Sequence, residues 1–210
     1  MKLYTYFRSS AAFRVRIALN LKGLKYEPVF VHLAKGQHRE PAYTAVNPQA
    51  LLPTLELDDG TRLNQSLAII EYLDEKHPQP SLVPKEPLAR ARVRSLSYLI
   101  ASEIHPLNNL RVLQHLKRIG QTQEQIDTWY RYWIADGLAK LEAELKGRPG
   151  KLSHGDSPTM ADCCLVPQIF NAKRYNSDLA PYPATMRVFE ACMKLEAFDR
   201  AQPSKQPDAE

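Results

Sequence analysis

Residues 1–80 alternate between short apolar runs typical of strands and a longer amphipathic pattern typical of a helix. The aromatic-rich run Lys2–Phe7 and the run YEPVFVH at 26–32 each predict a strand. Between them, the apolar residues Phe13, Ile17 and Leu21 recur at every fourth position, so they would share one face of a helix. This part of the chain therefore predicts a strand, a helix and a second strand.

A hairpin and a second helix follow in the same region. Thr54–Leu57 and Arg62–Asn64 flank the sequence DDG, and an Asp-Gly pair between apolar runs favours a tight β-hairpin. Ser66–Lys76 has the helical period, and we expect the Ser66 hydroxyl to cap its N-terminus. The order strand, helix, strand, then strand, strand, helix indicates a mixed sheet with helices packed against it.

Residues 77–88 separate this α/β region from the rest of the chain. The sequence HPQPSLVPKEPL is rich in proline and has no hydrophobic period, which predicts a linker. Beyond it the pattern is helical, with segments expected at 88–104, 107–118, 122–146, 159–173 and 184–196. We therefore predict two domains, an α/β domain over 1–80 and an all-helical domain over 88–210.

The charge distribution narrows the classes of ligand. The formal net charge is +5, but Lys and Arg are spread along the chain and form no basic stripe, which argues against nucleic acid as a partner. A basic protein that handles small acids fits the same charge. We expect no membrane association and a cytoplasmic location, because no apolar run approaches the roughly 18–20 residues of a membrane span and the N-terminus lacks a secretory pattern.

The cysteines predict neither a disulfide framework nor a metal site. There are three of them, Cys163, Cys164 and Cys192, and no pair has the CxxC spacing. Adjacent residues on a helix point in different directions, so Cys163 and Cys164 are interpreted as packing residues. We expect no bound metal and no chemistry by a thiol of the chain itself.

The segment between the first strand and the first helix carries the first candidate site. The hydroxyls of Ser9 and Ser10 can simply cap the helix. The same position also suits an anion, because free backbone N–H groups and the positive end of the helix dipole meet there. Arg8 adds positive charge, while Arg14 and Arg16 are either solvated or support the packing of the helix.

Two further motifs suit a peptide-like ligand. Pro53 opens a predicted strand and marks a rigid turn, sometimes with a cis bond, which can expose the backbone N–H and C=O of Leu52 for strand addition. An ordinary loop is the alternative. Gln65 and Ser66 directly precede a strong helix, where they either cap it or hold a carboxylate against its dipole.

Taken in order, these motifs resemble the glutathione transferases, and the resemblance covers nearly the whole chain. The string SSAAFRVRIAL at 9–19 is similar to the zeta-class signature SSCxWRVRIAL. Further zeta-like strings lie at Gln65–Leu73, Met160–Gln168 and Asp178–Pro183. The chain departs from the signature at Ala11, where the family has a cysteine, and at Phe13, where it has a tryptophan.

The resemblance implies a fold, a cofactor and a set of site residues. It implies a thioredoxin-like α/β N-terminal domain followed by an all-α domain, usually as a homodimer, with glutathione as the cofactor. The residues that it implies for glutathione are Ser10, Lys35, Gln49, Leu52, Pro53, Gln65 and Ser66. Those that it implies for catalysis are Arg8, Ser9 and Ser10. Those that it implies for an acidic substrate are Arg8, His105, Asn108, Arg111 and Arg174, and the group around Arg111 resembles that of bacterial maleylpyruvate isomerases.

The function implied by the resemblance is a glutathione-dependent isomerisation. We expect the conversion of maleylacetoacetate to fumarylacetoacetate in tyrosine and phenylalanine breakdown, or the equivalent reaction of maleylpyruvate. A general transferase that conjugates or dehalogenates small electrophiles is an alternative, which Ala11 makes more credible. A non-catalytic binding protein on the same scaffold is another, and the intact set of Ser10, Pro53, Gln65 and Ser66 argues against it.

Overall fold

The computed structural model describes residues 1–210, which divide into two compact units. Met1–Val83 and Met193–Glu210 together form the first unit, and Pro84–Cys192 forms the second. No helix combines the length and the apolar character needed to cross a lipid bilayer.

The chain forms four strands and nine α-helices. The strands are β1 Lys2–Thr5, β2 Glu27–Phe30, β3 Thr54–Glu56 and β4 Arg62–Asn64. The helices are α1 Ser10–Leu21, α2 Pro41–Thr44, α3 Ser66–Lys76, α4 Pro87–Tyr98, α5 Leu110–Arg118, α6 Gln123–Leu145, α7 Met160–Arg174, α8 Pro183–Met193 and α9 Glu196–Arg200. Short 3₁₀ segments lie at Gln37–Arg39, His105–Asn108 and Pro203–Lys205.

The predicted mixed sheet is confirmed. Its strand order is β2-β1-β3-β4, with β1 and β2 parallel and the other two pairs antiparallel. Leu3 of β1 lies opposite Leu55 of β3, and both side chains are fully buried in the core of the first unit. A parallel pair needs a crossover, and α1 supplies it between β1 and β2. The loop that enters α1 therefore leaves the sheet at the end of its central strand β1.

The C-terminal segment belongs to the first unit, so the predicted boundary of the helical domain at 88–210 is wrong at its end. The side-chain amide of Asn20 in α1 donates to the carbonyl of Ala197 at 2.9 Å. Phe198 and Ala201 are buried in the same unit. The segment has few apolar residues, and its helix α9 is only five residues long. A helix this short shows no hydrophobic period from which its packing partner could be predicted.

The first half of the proline-rich segment that was predicted as a linker is hydrogen-bonded to the first unit. Lys22 at the end of α1 forms a buried ion pair with Asp74 of α3 at 2.6 Å, and its ammonium also donates to the carbonyls of His77 and Pro80. The carboxylate of Asp74 accepts from the backbone N–H of Leu82 at 2.7 Å and of Val83 at 3.1 Å. One buried ion pair thus fixes the path of the chain as far as Val83.

In the second unit, the chain continues in a helical path beyond the end of α4 at Tyr98, but with a different geometry. A π-helical segment runs over Leu99–Ile104, and the 3₁₀ turn that starts at His105 follows it. A Cβ atom at Gly137 of α6 would lie 2.3 Å from Cγ1 of Ile104, so only glycine permits this close packing. The predicted helix 107–118 starts later, because Asn109 caps α5 by accepting from the N–H of Arg111 at 3.1 Å.

Candidate functional site

The two adjacent serines at the start of α1 are in different structural positions. Ser9 is the N-cap residue, and its hydroxyl accepts a hydrogen bond from the N–H of Ala12 at 3.2 Å. Ser10 is the first residue of the helix and is almost completely buried. The hydroxyl that caps α1 is therefore that of Ser9, and Ser10 lies at the positive end of the α1 dipole.

The arginines of α1 are buried, not solvated. Arg14 donates from Nη1 to the Ser66 hydroxyl at 3.3 Å, which joins α1 to the start of α3. Arg16 is completely shielded from solvent and donates to four acceptors in the first unit. Of the two interpretations open from the sequence, support of the local packing is confirmed. Arg8, in contrast, is exposed, with its guanidinium carbon 4.8 Å from the centre of the Phe7 ring.

The turn before β3 presents a free peptide edge. The peptide bond between Leu52 and Pro53 is cis. The preceding carbonyl, that of Leu51, accepts from the Tyr43 hydroxyl at 2.6 Å and from the Asn47 amide at 2.8 Å, so the approach to the turn is held firmly. The backbone N–H and C=O of Leu52 have no hydrogen-bond partner in the chain. A donor and an acceptor on one residue match the requirements of an extended peptide ligand.

The start of α3 differs from the predicted cap. Gln65 is the N-cap residue, and Ser66 is the first helical residue with its hydroxyl accepting from Arg14, so the prediction that Ser66 caps α3 is wrong. Gln65 has φ = 68°, a backbone region that non-glycine residues rarely adopt and that is often found at functional sites. Its side-chain amide donates to the side-chain oxygen of Gln49 at 2.7 Å. The structure thus brings together two of the residues that the resemblance implied for glutathione.

Lys35 lies on an exposed loop of the first unit. Its backbone N–H donates to Nδ1 of His32 at 3.1 Å, and the residue is exposed to solvent. The charge of Lys35 also acts on Glu210, whose pKa is lowered chiefly by a hydrogen bond with His32 and further by Lys35 and Arg8. Lys35 and Arg8 therefore face the same region of the first unit.

Three of the predicted substrate residues cluster at the break between α4 and α5 in the second unit. His105 begins the 3₁₀ turn, and its Nε2 lies 3.4 Å from the amide nitrogen of Asn109. Asn108 is 5% exposed, and neither end of its side-chain amide has a hydrogen-bond partner. Arg111 is exposed in the first turn of α5. A π-helical break followed by an unsatisfied buried amide is typical of a binding site, because each costs stability.

Arg174 is placed by two tyrosines of the second unit. It is exposed near the end of α7, with its guanidinium carbon 5.1 Å from the centre of the Tyr175 ring. The rings of Tyr175 and Tyr130 stack at 3.5 Å, and a hydrogen bond joins Tyr130 to Arg174. Burial raises the pKa of Tyr130, so the phenol stays protonated. No sequence pattern marked Tyr130 as a site residue, because it lies inside the long helix α6.

The three cysteines pack in the core of the second unit, which confirms the interpretation of Cys163 and Cys164 as packing residues. None of them forms a disulfide, and all three are buried. Burial, followed by the charge of Asp162, raises the pKa of the Cys192 thiol, which keeps it protonated and unreactive. No group of three or more His, Cys, Asp or Glu side chains is arranged to hold a metal ion.

The fold and these sites define the class of protein. The profile of the glutathione S-transferase N-terminal domain matches residues 3–81, and that of the glutathione S-transferase C-terminal domain matches residues 123–191. The chain belongs to the glutathione transferase family, which confirms the predicted family and fold.

Full-length relatives narrow the class further, to the zeta class of that family. A maleylpyruvate isomerase of Ralstonia sp. is 47% identical over 213 residues, which is 100% of both chains. The maleylacetoacetate isomerase of Pseudomonas aeruginosa is 47% identical over 99% of this chain and 98% of its own. The holo structure of a maleyl pyruvate isomerase, described as a bacterial zeta-class glutathione S-transferase, superimposes with a TM-score of 0.97 at 46% identity over 100% of both chains.

A further solved structure carries a ligand. The maleylacetoacetate isomerase of Anaeromyxobacter dehalogenans, solved with glutathione bound in its active site, is 46% identical to this chain. It covers 100% of this chain and 97% of its own, with a TM-score of 0.90.

Proposed function

We propose that the chain is a glutathione-dependent cis–trans isomerase that converts maleylacetoacetate to fumarylacetoacetate, or maleylpyruvate to fumarylpyruvate. The observation that carries the proposal is the 47% identity to two isomerases along the whole chain. The buried Ser10 at the start of a capped α1 supports it from the structure. The cofactor is glutathione, and we place the enzyme in the cytoplasm.

The residues of the first unit fit glutathione. The unpaired backbone N–H and C=O of Leu52 can pair with the cysteinyl backbone of the tripeptide as an added strand. Gln65 and Ser66 lie at the positive end of α3, where the γ-glutamyl carboxylate is stabilised by the helix dipole. Gln49 and the exposed Lys35 are available for the glycyl end. Bound glutathione supplies a thiolate that adds reversibly to the conjugated double bond, which permits rotation about that bond.

The task of Ser10 is to keep that sulfur ionised near neutral pH. A free thiol has a pKa of about 8.5, and lowering it by about two units takes roughly 2.7 kcal/mol of preferential stabilisation of the anion. The N-terminus of a helix contributes about 0.3–1 kcal/mol. A hydrogen bond from the Ser10 hydroxyl to a charged sulfur adds about 1.5–3 kcal/mol. The helix alone is too weak, and the helix together with Ser10 is sufficient.

The arginines hold the acidic substrate. Arg8 and Arg174 are both exposed and therefore accessible to a small acid. A planar guanidinium pairs with a carboxylate through two hydrogen bonds, and it also stabilises negative charge that develops on a conjugated carbonyl oxygen. In the second unit, we propose that the unsatisfied amide of Asn108, with His105 and Arg111, also serves an acidic substrate. Ser9 serves catalysis only through the cap that orients α1.

A single assay separates this function from the alternatives. Purified protein is mixed with maleylacetoacetate, or in parallel with maleylpyruvate, and with glutathione at a small fraction of the substrate concentration. Isomerisation regenerates glutathione, so the substrate is consumed completely while the thiol concentration stays constant. Stoichiometric loss of thiol would instead indicate a conjugating transferase, and no turnover of either acid would indicate a binding protein. The ratio of kcat/KM for the two acids identifies the preferred substrate.

We also propose that the enzyme is a homodimer. The family resemblance supports this, and Leu88 and Tyr98 on α4 are exposed apolar side chains that an interface would cover. Sedimentation equilibrium should give twice the 23.9 kDa of one chain. A mass equal to that of one chain would contradict the proposal.

A further inference from the structure

The loop that carries Arg8, Ser9 and Ser10 starts at Phe7, whose backbone N–H and C=O are both hydrogen-bonded to side chains of the first unit. The carbonyl of Phe7 accepts from Nη2 of Arg16 at 3.0 Å. The N–H of Phe7 donates to Oδ2 of Asp208 at 2.9 Å. The N–H of Phe7 belongs to the Tyr6–Phe7 peptide and its C=O to the Phe7–Arg8 peptide, so the two contacts together fix the orientation of both peptide planes, from which the chain continues to Arg8.

Arg16 supports this loop through several hydrogen bonds. Its remaining donors reach the hydroxyl of Thr5 at 3.1 Å, the carbonyl of Tyr6 at 3.3 Å and the carbonyl of Ala201 at 3.2 Å. Burial lowers the pKa of Arg16 to about 10, and the interactions with Tyr26 and Asp208 act in the opposite direction. A guanidinium at this depth is costly unless an anion is near, and Asp208 is the anionic partner that acts on it.

The same C-terminal segment holds a second loop of the first unit. The carboxylate of Glu210 lies 2.7 Å from Nε2 of His32. Nδ1 of His32 accepts from the backbone N–H of Lys35, so Nε2 carries the ring proton and donates it to Glu210. Residues 208–210 therefore contact both the loop of Ser10 and the loop of Lys35.

We propose that Asp208 is a positioning residue for glutathione binding and thiol ionisation, acting through Phe7 and Arg16 on the loop that carries Ser10. Asp208 touches neither substrate nor cofactor in this scheme. It fixes the backbone from which the reactive segment starts, so that the Ser10 hydroxyl and the free N–H groups of α1 point at one place. The proposal rests on the proposed role of Ser10 and extends it to a residue almost 200 positions away in the sequence.

The test compares two substitutions of Asp208 in the full-length protein. Asp208→Ala removes both the acceptor for Phe7 and the charge near Arg16. Asp208→Asn keeps an acceptor and removes only the charge. For Asp208→Ala we expect about tenfold weaker glutathione binding by calorimetry, equivalent to about 1.4 kcal/mol. We also expect a higher pKa of the bound thiol by ultraviolet titration and faster hydrogen exchange of the Phe7 amide, with Asp208→Asn between this variant and the wild type.

Asp199→Ala is the matched control. Asp199 lies on the same segment, and its carboxylate contacts only Gln202 and Lys205 of that segment. This variant should bind glutathione like the wild type. If Asp208→Ala binds glutathione with unchanged affinity and thiol pKa, the inference is overturned, even when its melting temperature falls. If Asp199→Ala loses affinity equally, a general effect of the segment replaces the specific one and the inference fails.

The result of this test on Asp208 can be distinguished from the result of the test of the proposed function. Calorimetry needs only glutathione binding, so the comparison of variants holds whether or not the wild type isomerises an acid. A wild type that binds glutathione but turns over neither acid defeats the proposed function alone. A wild type that isomerises normally, with Asp208→Ala equal to it, defeats this inference alone.

Discussion

At the scale of single residues, the site depends on a division of labour between neighbours of the same type. The hydroxyl of Ser9 caps α1, whereas Ser10 is the first residue of that helix. Arg14 and Arg16 are buried supports, whereas Arg8 reaches solvent. The sequence placed all five residues near one another but could not separate the two serines or show that two arginines are buried. Burial of an arginine depends on acceptors from distant segments, which no local pattern reveals.

Ser10→Ala tests the ionisation argument. Loss of the hydroxyl should raise the pKa of the bound thiol by at least about one unit and lower kcat at neutral pH by at least about tenfold. Ultraviolet titration of the enzyme–glutathione complex measures the first effect and steady-state kinetics the second. Ser9→Ala is the control, because it should cost about 1 kcal/mol of stability through the lost cap with a smaller effect on the thiol. An unchanged titration curve for Ser10→Ala would falsify the role.

Arg174→Ala tests the proposed grip on the substrate. We expect KM for the acid to rise by about tenfold or more, while the Kd for glutathione stays nearly constant, since a charge-assisted pair is worth about 1.5–3 kcal/mol. The adjacent Lys173→Ala is the control, because its ammonium lies over the Phe189 ring at 4.2 Å instead. Equal losses for the two ligands would remove Arg174 from the substrate site.

At the scale of elements, the sequence predicted the types of the secondary-structure elements well and their boundaries less well. The strands and α3 lie where the periodicity placed them, because alternating or four-residue patterns follow directly from burial on one face. The change from α4 to a π-helical segment was not predicted, because the local hydrophobic period continues through it; at its end Ile104 packs closely against Gly137 on another helix. The unsatisfied Asn108 lies just beyond this break, so the feature that sequence patterns cannot show is also the one that shapes the candidate substrate site.

The ion pair between Lys22 and Asp74 allows an element-scale prediction. Asp74→Ala leaves the Lys22 ammonium buried without its anion and removes the acceptor of two backbone N–H groups. We expect the free energy of unfolding to fall by about 3–5 kcal/mol, measured by urea denaturation. Asp136→Ala, which breaks an exposed pair with Lys140, should change it by no more than about 0.5 kcal/mol. If the free energy of unfolding falls equally in the two variants, the buried pair stabilises the protein no more than the exposed pair does.

At the scale of the whole molecule, fold and family could be predicted from the chain, and the division into units only in part. The position of residues 193–210 was not predicted, because Arg16 and Asn20 donate to backbone carbonyls of this segment. Every residue has a backbone carbonyl, so such contacts leave no pattern in the sequence. The role of Asp208 was hidden for the same reason: its partner is a main-chain N–H.

The net charge of +5 predicts a salt effect on the reaction. Raising the ionic strength from about 0.01 M to about 0.15 M shortens the Debye length from about 30 Å to about 8 Å, which weakens the attraction of a doubly charged acid. With saturating glutathione, kcat/KM for the acid should fall by about threefold or more, while that for a neutral electrophile changes little. The same salt dependence for both substrates would contradict electrostatic attraction.

The placement of residues 193–210 has a consequence for how the protein is made. Synthesis produces Met1–Val83 first, yet Arg16 finds the carbonyl of Ala201 only after Pro84–Cys192 has left the ribosome. A nascent chain paused between the two units therefore holds a buried arginine without one of its acceptors and without Asp208. We infer that firm binding of glutathione requires residues 193–210 to have packed against Met1–Val83, and that it is therefore not available earlier in translation.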